Sequence, residues 1–292
     1  MVGMTGMGST TELGYGWLTP GLSYAMAVLG SALGLRCMVR AIAADGRSRR
    51  NWLLTGAASI GIGIWTMHFI GMLGFAVTGS EVRYDVPLTL LSLLVAILFV
   101  GAGAFAVGYG RHRGRSLLLG GLTTGSGVAA MHYLGMYALR LHGTVGYRPV
   151  TVAVSVAIAV VASTAALWAG LNVRGPLAAG AAALVMGLAV SSMHYTGMYA
   201  VVIALRPGQG PLPGATVTDF IFPLAVGLGS ALFLTSAFVA LSPTAHGTGA
   251  SAPGVASEPG TASEPGRMQG PGTAQGPGGA RPPDTARAPA GR

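Results

Sequence analysis

The sequence predicts an all-α integral membrane protein with seven transmembrane helices, arranged as three helix-pair repeats plus a seventh helix. Three observations predict it. Hydrophobic residues fill 51% of the 292 positions and charged residues only 9%, against about 25% charged in a soluble domain. Seven apolar runs fall at 15–35, 52–78, 86–109, 116–139, 149–172, 177–205 and 219–241, each near the roughly 20 residues that cross a hydrocarbon core. One six-residue pattern recurs in the second, fourth and sixth of these runs. The runs are long and unbroken, unlike the ten-residue alternating segments of a membrane β-barrel.

The composition also excludes. All 17 basic residues are Arg, so no lysine is present for a Schiff base or a phosphate-binding loop. The one cysteine, Cys37, cannot close an internal disulfide, an iron–sulfur cage or a Cys-based zinc finger. The net charge of +9 is not a nucleic-acid signal, because the arginines sit between apolar runs and no basic helix interleaves aromatics. The expected surroundings are the lipid bilayer of a bacterial cell membrane, with no nucleic-acid partner.

Taken in order, residues 1–14 read as an extracytoplasmic segment: they hold Glu12 and no base, which makes the first run a poor signal peptide and a better permanent helix. Residues 15–241 form the membrane domain. Arg36, Arg40, Arg47, Arg49 and Arg50 follow the first run, Arg111, Arg113 and Arg115 the third, and Arg174 the fifth. The opposite side carries only Arg83, Arg140, Arg148 and Arg206, with Glu12, Glu81, Asp85 and Asp219 among them. The positive-inside bias places the N-terminus outside and the C-terminus in the cytoplasm, as an odd number of spans requires. Residues 242–292 are rich in Pro, Gly, Ala, Ser and Thr, with near-repeats at Ser257-Glu-Pro-Gly and Ser263-Glu-Pro-Gly. They read as a disordered cytoplasmic tail, because such a composition buries too little apolar surface to offset its ordering entropy.

The repeat carries the chemistry. Met67-His68-Phe69-Ile70-Gly71-Met72, Met131-His132-Tyr133-Leu134-Gly135-Met136 and Met193-His194-Tyr195-Thr196-Gly197-Met198 share one spacing. Random order would give about 0.3 Met-His pairs in this composition, and three occur. On a helix, the Met four positions after each His shares its face, and the Gly three positions after lies about 60° to the other side. Gly61, Gly125 and Gly187, each seven positions before a His, fall on the same face. Three stripes of Gly, His, Gly and Met are therefore expected to face one another, since small residues let helices approach closely in lipid. Counting back from the outer charges at about 1.5 Å per residue puts the three imidazoles at one level. That level lies in the outer half of the membrane, nearer its centre than its surface.

Ionisable groups at such a depth read as functional. Imidazole suits several transition metals, and thioether selects copper, above all the reduced ion. Haem is the alternative, since two His on facing helices can hold an iron axially and Met can replace one. Ligand type alone leaves the two open. Apart from Asp219 at the edge of the seventh run, Asp and Glu are absent from the apolar runs, which leaves Mg and Ca without oxygen ligands and a proton relay without carboxylates. Tyr133 and Tyr195 read as packing residues, or as hydrogen-bonding partners that orient a ligand.

The repeated Met-His-Tyr/Phe-x-Gly-Met pattern resembles the MHYT domain family of bacterial membrane sensor domains, over about residues 15–241. The resemblance implies a seven-helix sensory module. It implies copper bound near the outer face through Met67, His68, Met72, Met131, His132, Met136, Met193, His194 and Met198, and a diatomic gas, oxygen, CO or NO, as the signal. Many members continue into a cytoplasmic enzyme domain. Only 51 residues follow the last run here, so no enzymatic activity is expected, and a separate cytoplasmic output protein would read the signal. A haem-binding electron-transfer protein and a copper-handling protein are the alternative functions.

Overall fold

The computed structural model describes residues 10–11, 16–206 and 210–241. The tail 242–292 and all of segment 1–14 except Thr10 and Thr11 lie outside the described residues. The domain is helical, with seven long helices: α1 Leu18–Ile42, α2 Gly46–Leu73, α3 Val86–Tyr109, α4 Arg113–Tyr137, α5 Pro149–Asn172, α6 Pro176–Tyr199 and α7 Phe222–Leu241, the last preceded by a π-helical turn at Val217–Ile221. Six of them, all but α4, are long and apolar enough to cross a membrane. The chain is a multi-pass membrane protein.

The helix starts follow local chemistry. Asp85 caps α3, accepting from the Leu88 amide at 3.1 Å, and Pro87 stands in the first turn, where a missing N–H costs nothing. Pro149 and Pro176 open α5 and α6 in the same way, the latter after Gly175 at φ 84°. Arg36 and Arg40 lie inside α1, and α2 begins at Gly46; their expected placement in a loop is corrected. Apolar stems let these arginines ride a helix end while the charged heads reach polar partners. Arg40 donates to the Val239 carbonyl at 3.0 Å and covers the Trp52 ring at 4.8 Å.

Six short strands that the sequence reading missed complete each helix pair. β1 (Thr10–Thr11) pairs antiparallel with β2 (Ala76–Val77), β3 (Arg83–Tyr84) with β4 (Leu139–Arg140), and β5 (Gly143–Tyr147) with β6 (Val201–Leu205). In each case the strand before an odd helix pairs with the strand after the following even helix. The repeat unit is therefore strand–helix–helix–strand, closed on itself three times. The expected runs 52–78, 116–139 and 177–205 extended too far, because the chain leaves the helix at Leu73, Tyr137 and Tyr199 and turns into a strand.

The helices α1 to α6 pack as a closed ring in chain order, with α6 returning against α1, and α7 packs outside on α2 and α1. The even helices also touch one another inside the ring. The largest apolar cluster sits at the strand-bearing end. It joins the motif residues Met67, Phe69, Met131 and Met193 to Phe75, Val77, Tyr84, Leu139, Leu141 and Ile203 of the strand layer. Gly30 of α1 and Gly63 of α2 meet backbone to backbone, a Cβ on the first falling 2.8 Å from the Cα of the second.

One expected face is corrected. Gly61, Gly125 and Gly187 do not face each other: a Cβ on each would strike Ile97 of α3, Val160 of α5 and Val28 of α1. Seven residues come within about 20° of two full turns, so these glycines keep the direction of the His, but about 10 Å further along the helix that direction meets the next odd helix around the ring.

At the strand-bearing end Arg140 of β4 donates to Asp85 at 2.7 Å, tying the start of α3 to the end of α4. The Leu88 amide and then the Arg140 guanidinium favour the ionised carboxylate and hold Asp85 below its ordinary value. A lowered folded-state pKa contributes stability above the unfolded value, near 3.9, and that contribution disappears as pH falls through the folded value. Melting midpoints of the purified protein should therefore fall on acidification below about pH 4. Asp85→Asn should lower the midpoint at neutral pH and flatten the acid limb. An unchanged acid limb in that variant would place the sensitivity elsewhere.

Candidate metal centre

The three motif histidines lie at equivalent places on equivalent helices: each stands five residues before its helix ends, at Leu73, Tyr137 and Tyr199. That is about 8 Å from the helix end at 1.5 Å per residue, not near mid-helix. The longer expected depth came from treating the stretch out to Glu81, Arg140 and Arg206 as helix. Beyond the helix ends the chain runs through turns and strands instead.

All three imidazoles are fully or almost fully buried, with relative exposures of 0, 0 and 1% for His68, His132 and His194. Their Nδ1 atoms converge. His68 stands 3.0 Å from His194 and 3.1 Å from His132, and His132 stands 3.4 Å from His194. The rings meet edge to face, with interplanar angles of 79 to 85° and centroids 4.9 to 5.2 Å apart. Among the described residues this is the one group of three or more His, Cys, Asp or Glu side chains placed to hold an ion.

Protons alone leave this triangle unsatisfied. A neutral imidazole carries one N–H, so each Nδ1 is either a donor or an acceptor. Three atoms divided between two kinds must leave at least one edge joining like with like. A cation at the centre removes the conflict, because all three lone pairs then point at it. The centre of a triangle with these edges lies about 1.8 Å from each nitrogen, just under the roughly 2.0–2.1 Å of a zinc–imidazole bond. An ion of that class fits slightly off the plane of the nitrogens.

Glycine makes the convergence possible. A Cβ on Gly135 would fall 2.7 Å from Nε2 of His68, one on Gly71 would fall 2.6 Å from Nε2 of His194, and one on Gly197 would be closer still to Nε2 of His132. Each even helix thus gives a histidine to the centre and a glycine, three residues on, to the back of a neighbour's ring. From glycine to ring the order runs α2 to α6, α6 to α4 and α4 to α2. The Nε2 atoms of His68 and His132 have no hydrogen-bond partner, so packing on glycine, not hydrogen bonding, orients those rings.

Met67, Met72, Met131, Met136, Met193 and Met198 are all buried in the same apolar cluster, with exposures of 0 to 5%. The thioethers that the sequence singled out thus share one buried cluster. Tyr133 does not orient a ligand: its hydroxyl bonds Ser155 of α5 at 2.5 Å. Phe69, in the corresponding place, packs on Trp65 and Tyr84 at 4.5 and 6.0 Å. Sequence reasoning missed Trp65, whose buried indole N–H donates to Ser92 at 3.0 Å and braces α2 against α3; its contacts come from a helix the motif does not touch. Beneath the histidines lies a cavity of about 50 Å³. Its walls include Ile64, one turn before His68, Val190, one turn before His194, and Ala57, Ala104 and Ala166.

Residues 61–121 and 125–183 match the MHYT family model, described as a bacterial signalling protein N-terminal repeat. The two matched stretches open at Gly61 and Gly125 and hold the first two motifs; the third motif lies beyond them. The chain is 44% identical over 194 residues to the bifunctional diguanylate cyclase/cyclic di-GMP phosphodiesterase MucR of Pseudomonas aeruginosa, covering 64% of this chain and 28% of that protein. It is 35% identical over 211 residues to the cyclic di-GMP phosphodiesterase NbdA of the same species, covering 66% and 26%. It is 32% identical over 196 residues to the signaling protein YkoW of Bacillus subtilis, covering 61% and 23%. The chain thus spans about a quarter of the length of these relatives. No solved structure matches it.

The interlock yields a direct test. Gly71→Ala, Gly135→Ala and Gly197→Ala should each cost about 1–3 kcal/mol of stability in detergent unfolding, as overpacking does. Gly180→Ala on α6, whose Cβ meets open space, should be neutral or slightly stabilising through helix propensity. Equal behaviour of the two sets would mean that the rings do not rest on glycine.

Proposed function

Because the chain belongs to the MHYT domain family, we propose that its membrane domain is a sensory module in which His68, His132 and His194 hold a copper ion that a small uncharged ligand reaches. The observation that carries this reading is the triangle of Nδ1 atoms, which a central cation satisfies and protons do not. Copper is favoured within that class by the six buried methionines around the site, since thioether selects the reduced ion. Such an ion supplies an open coordination position for a diatomic ligand.

The surroundings suit a ligand of that kind. Phe75 and the strand residues Val77 and Tyr84 close the cluster at one end, and the cavity on the other side is walled mainly by Ala, Ile, Leu and Val. Apolar cavities of this sort stay dry, so an uncharged gas such as oxygen, CO or NO enters more readily than a hydrated anion. The geometry supports a single ion over haem. A haem iron takes axial ligands from opposite faces of its macrocycle, whereas here three nitrogens crowd one point and glycines press on the backs of the rings. A copper conduit is disfavoured because the ligands stand at one level.

The same reading extends to topology. α4 is the least apolar of the seven helices, carrying Arg113 and Arg115 in its first turn. It occupies the place in its repeat that α2 and α6 occupy in theirs, so we take it as a seventh span. The arginine bias then puts the N-terminus outside and the C-terminus in the cytoplasm of a bacterial cell. Two relatives bear the names of cyclic di-GMP enzymes. We infer that the signal is relayed to a protein that makes or degrades cyclic di-GMP.

Detergent-purified protein should contain copper near one ion per chain by elemental analysis and show no Soret band. The double variant His132→Ala/His194→Ala should insert in the membrane but lose the ion. Stoichiometric copper in that variant would overturn the ligand assignment, and a Soret band in the parent protein would overturn the choice of ion over haem.

A further inference from the structure

At the helix ends opposite the strand layer, a cleft of about 240 Å³ opens between the end of α3, the start of α4 and the end of α5. Arg111, Arg113, Arg174 and Ser116 line it. Gly110 keeps it open, since a Cβ there would run into Ser116 Oγ.

The charges in this cleft are arranged unlike those elsewhere in the domain. Arg113 and Arg174 both donate to the Leu171 carbonyl, at 3.5 and 3.0 Å. Arg113 is further held by Asn172 Oδ1 at 2.8 Å, and Arg174 by the Val173 carbonyl at 3.1 Å. Two guanidinium groups thus share one oxygen with no carboxylate beside them, an arrangement in which like charges repel. The described carboxylates are engaged elsewhere: Asp45 with Arg49, Glu81 with Arg83, Asp85 with Arg140, and Asp219 with Thr216. The chain supplies no described anion to the cleft.

We propose that this cleft binds a phosphate group, the headgroup phosphate of an acidic phospholipid or a soluble phosphoester. Guanidinium forks match phosphate oxygens in charge and in geometry, and a phosphate bridging Arg113 and Arg174 turns their repulsion into shared attraction. Arg111 and the Ser116 hydroxyl complete the lining. The cleft stands where membrane helices end, the level at which headgroups lie, and both leaflets carry phosphates. The inference therefore depends on neither the orientation of the chain nor the metal.

The test uses the full chain in detergent with added dioleoyl-phosphatidylglycerol or dioleoyl-phosphatidylcholine, read by native mass spectrometry and by melting midpoint. Phosphatidylglycerol should be retained and should raise the midpoint more than phosphatidylcholine. The triple variant Arg111→Gln/Arg113→Gln/Arg174→Gln should bind it about a hundredfold more weakly, and Arg174→Gln alone, which disturbs the fold least, roughly fivefold more weakly. The charge-matched control Arg36→Gln/Arg47→Gln/Arg50→Gln, none of which lines the cleft, should bind like the parent. If millimolar inorganic phosphate or glycerol 3-phosphate protects as well as the lipid, and only with the cleft arginines present, the ligand is the soluble phosphoester. Equal affinity in the cleft variants and the control, for phosphatidylglycerol and for the soluble phosphates alike, would overturn the proposal.

Discussion

The structure depends on a packing constraint: three imidazoles reach one point only because three glycines leave room behind them. An alanine at any of Gly71, Gly135 or Gly197 would put a methyl group onto a neighbour's Nε2. The contact is cyclic, so each ring is placed by the helix that receives it. The convergence also sets a high cost for isolation. A buried polar atom without a partner is expensive in lipid, and His68 and His132 already leave their Nε2 atoms unbonded. A centre that left the Nδ1 atoms in conflict as well would oppose the packing that creates it.

The strand–helix–helix–strand repeat follows from this constraint. To converge at one end, the even helices must bring their motif ends to the middle of the ring at the same level, and each must be held by its own repeat. The paired strands do that, closing each helix pair where the histidines lie. Small residues between the odd and even helices permit close approach: Gly61 against Ile97, Gly125 against Val160 and Gly187 against Val28. α7 belongs to no pair and packs outside the ring, as a segment without the motif can.

Much of this was legible in the sequence, for stated reasons. The motif was visible because three copies of a rare residue pair share one spacing, and the level of the histidines followed from that spacing. The strands were not legible, because segments such as Ala76–Val77 and Leu139–Arg140 are two residues long, too short to show an alternating pattern. Val201–Leu205, apolar throughout, reads as a continuation of α6. The assumption of continuous helix out to Glu81, Arg140 and Arg206 failed with them. The expected contact of Gly61, Gly125 and Gly187 failed because spacing gives a residue's direction on its own helix and not which neighbour stands there at that level. The arginine cleft was hidden because Arg111 and Arg174 come from loops 63 residues apart in sequence and meet only through the ring.

The same geometry suggests how a small event at the centre of the proposed sensor would be felt at the other face. Gly61 lies seven residues below His68, about 10 Å along α2, and the start of α2 at Gly46 lies a further 22 Å or so below it. A contact with the backbone of Ile97, 3.0 Å from a Cβ position on Gly61, is stiff and can act as a fulcrum. A ligand that changes the nitrogen spacing by half an ångström would then swing the far end of the helix by about 1 Å, because the lower arm is roughly twice the upper one. α4 pivots similarly at Gly125, and its far end carries Arg113 of the cleft. Small shifts become discrete rearrangements when packed interfaces have two stable arrangements. A phosphate seated on Arg113 and Arg174 would then favour whichever arrangement keeps the two guanidinium groups together, which couples the lipid surface to the histidine centre through one rigid helix.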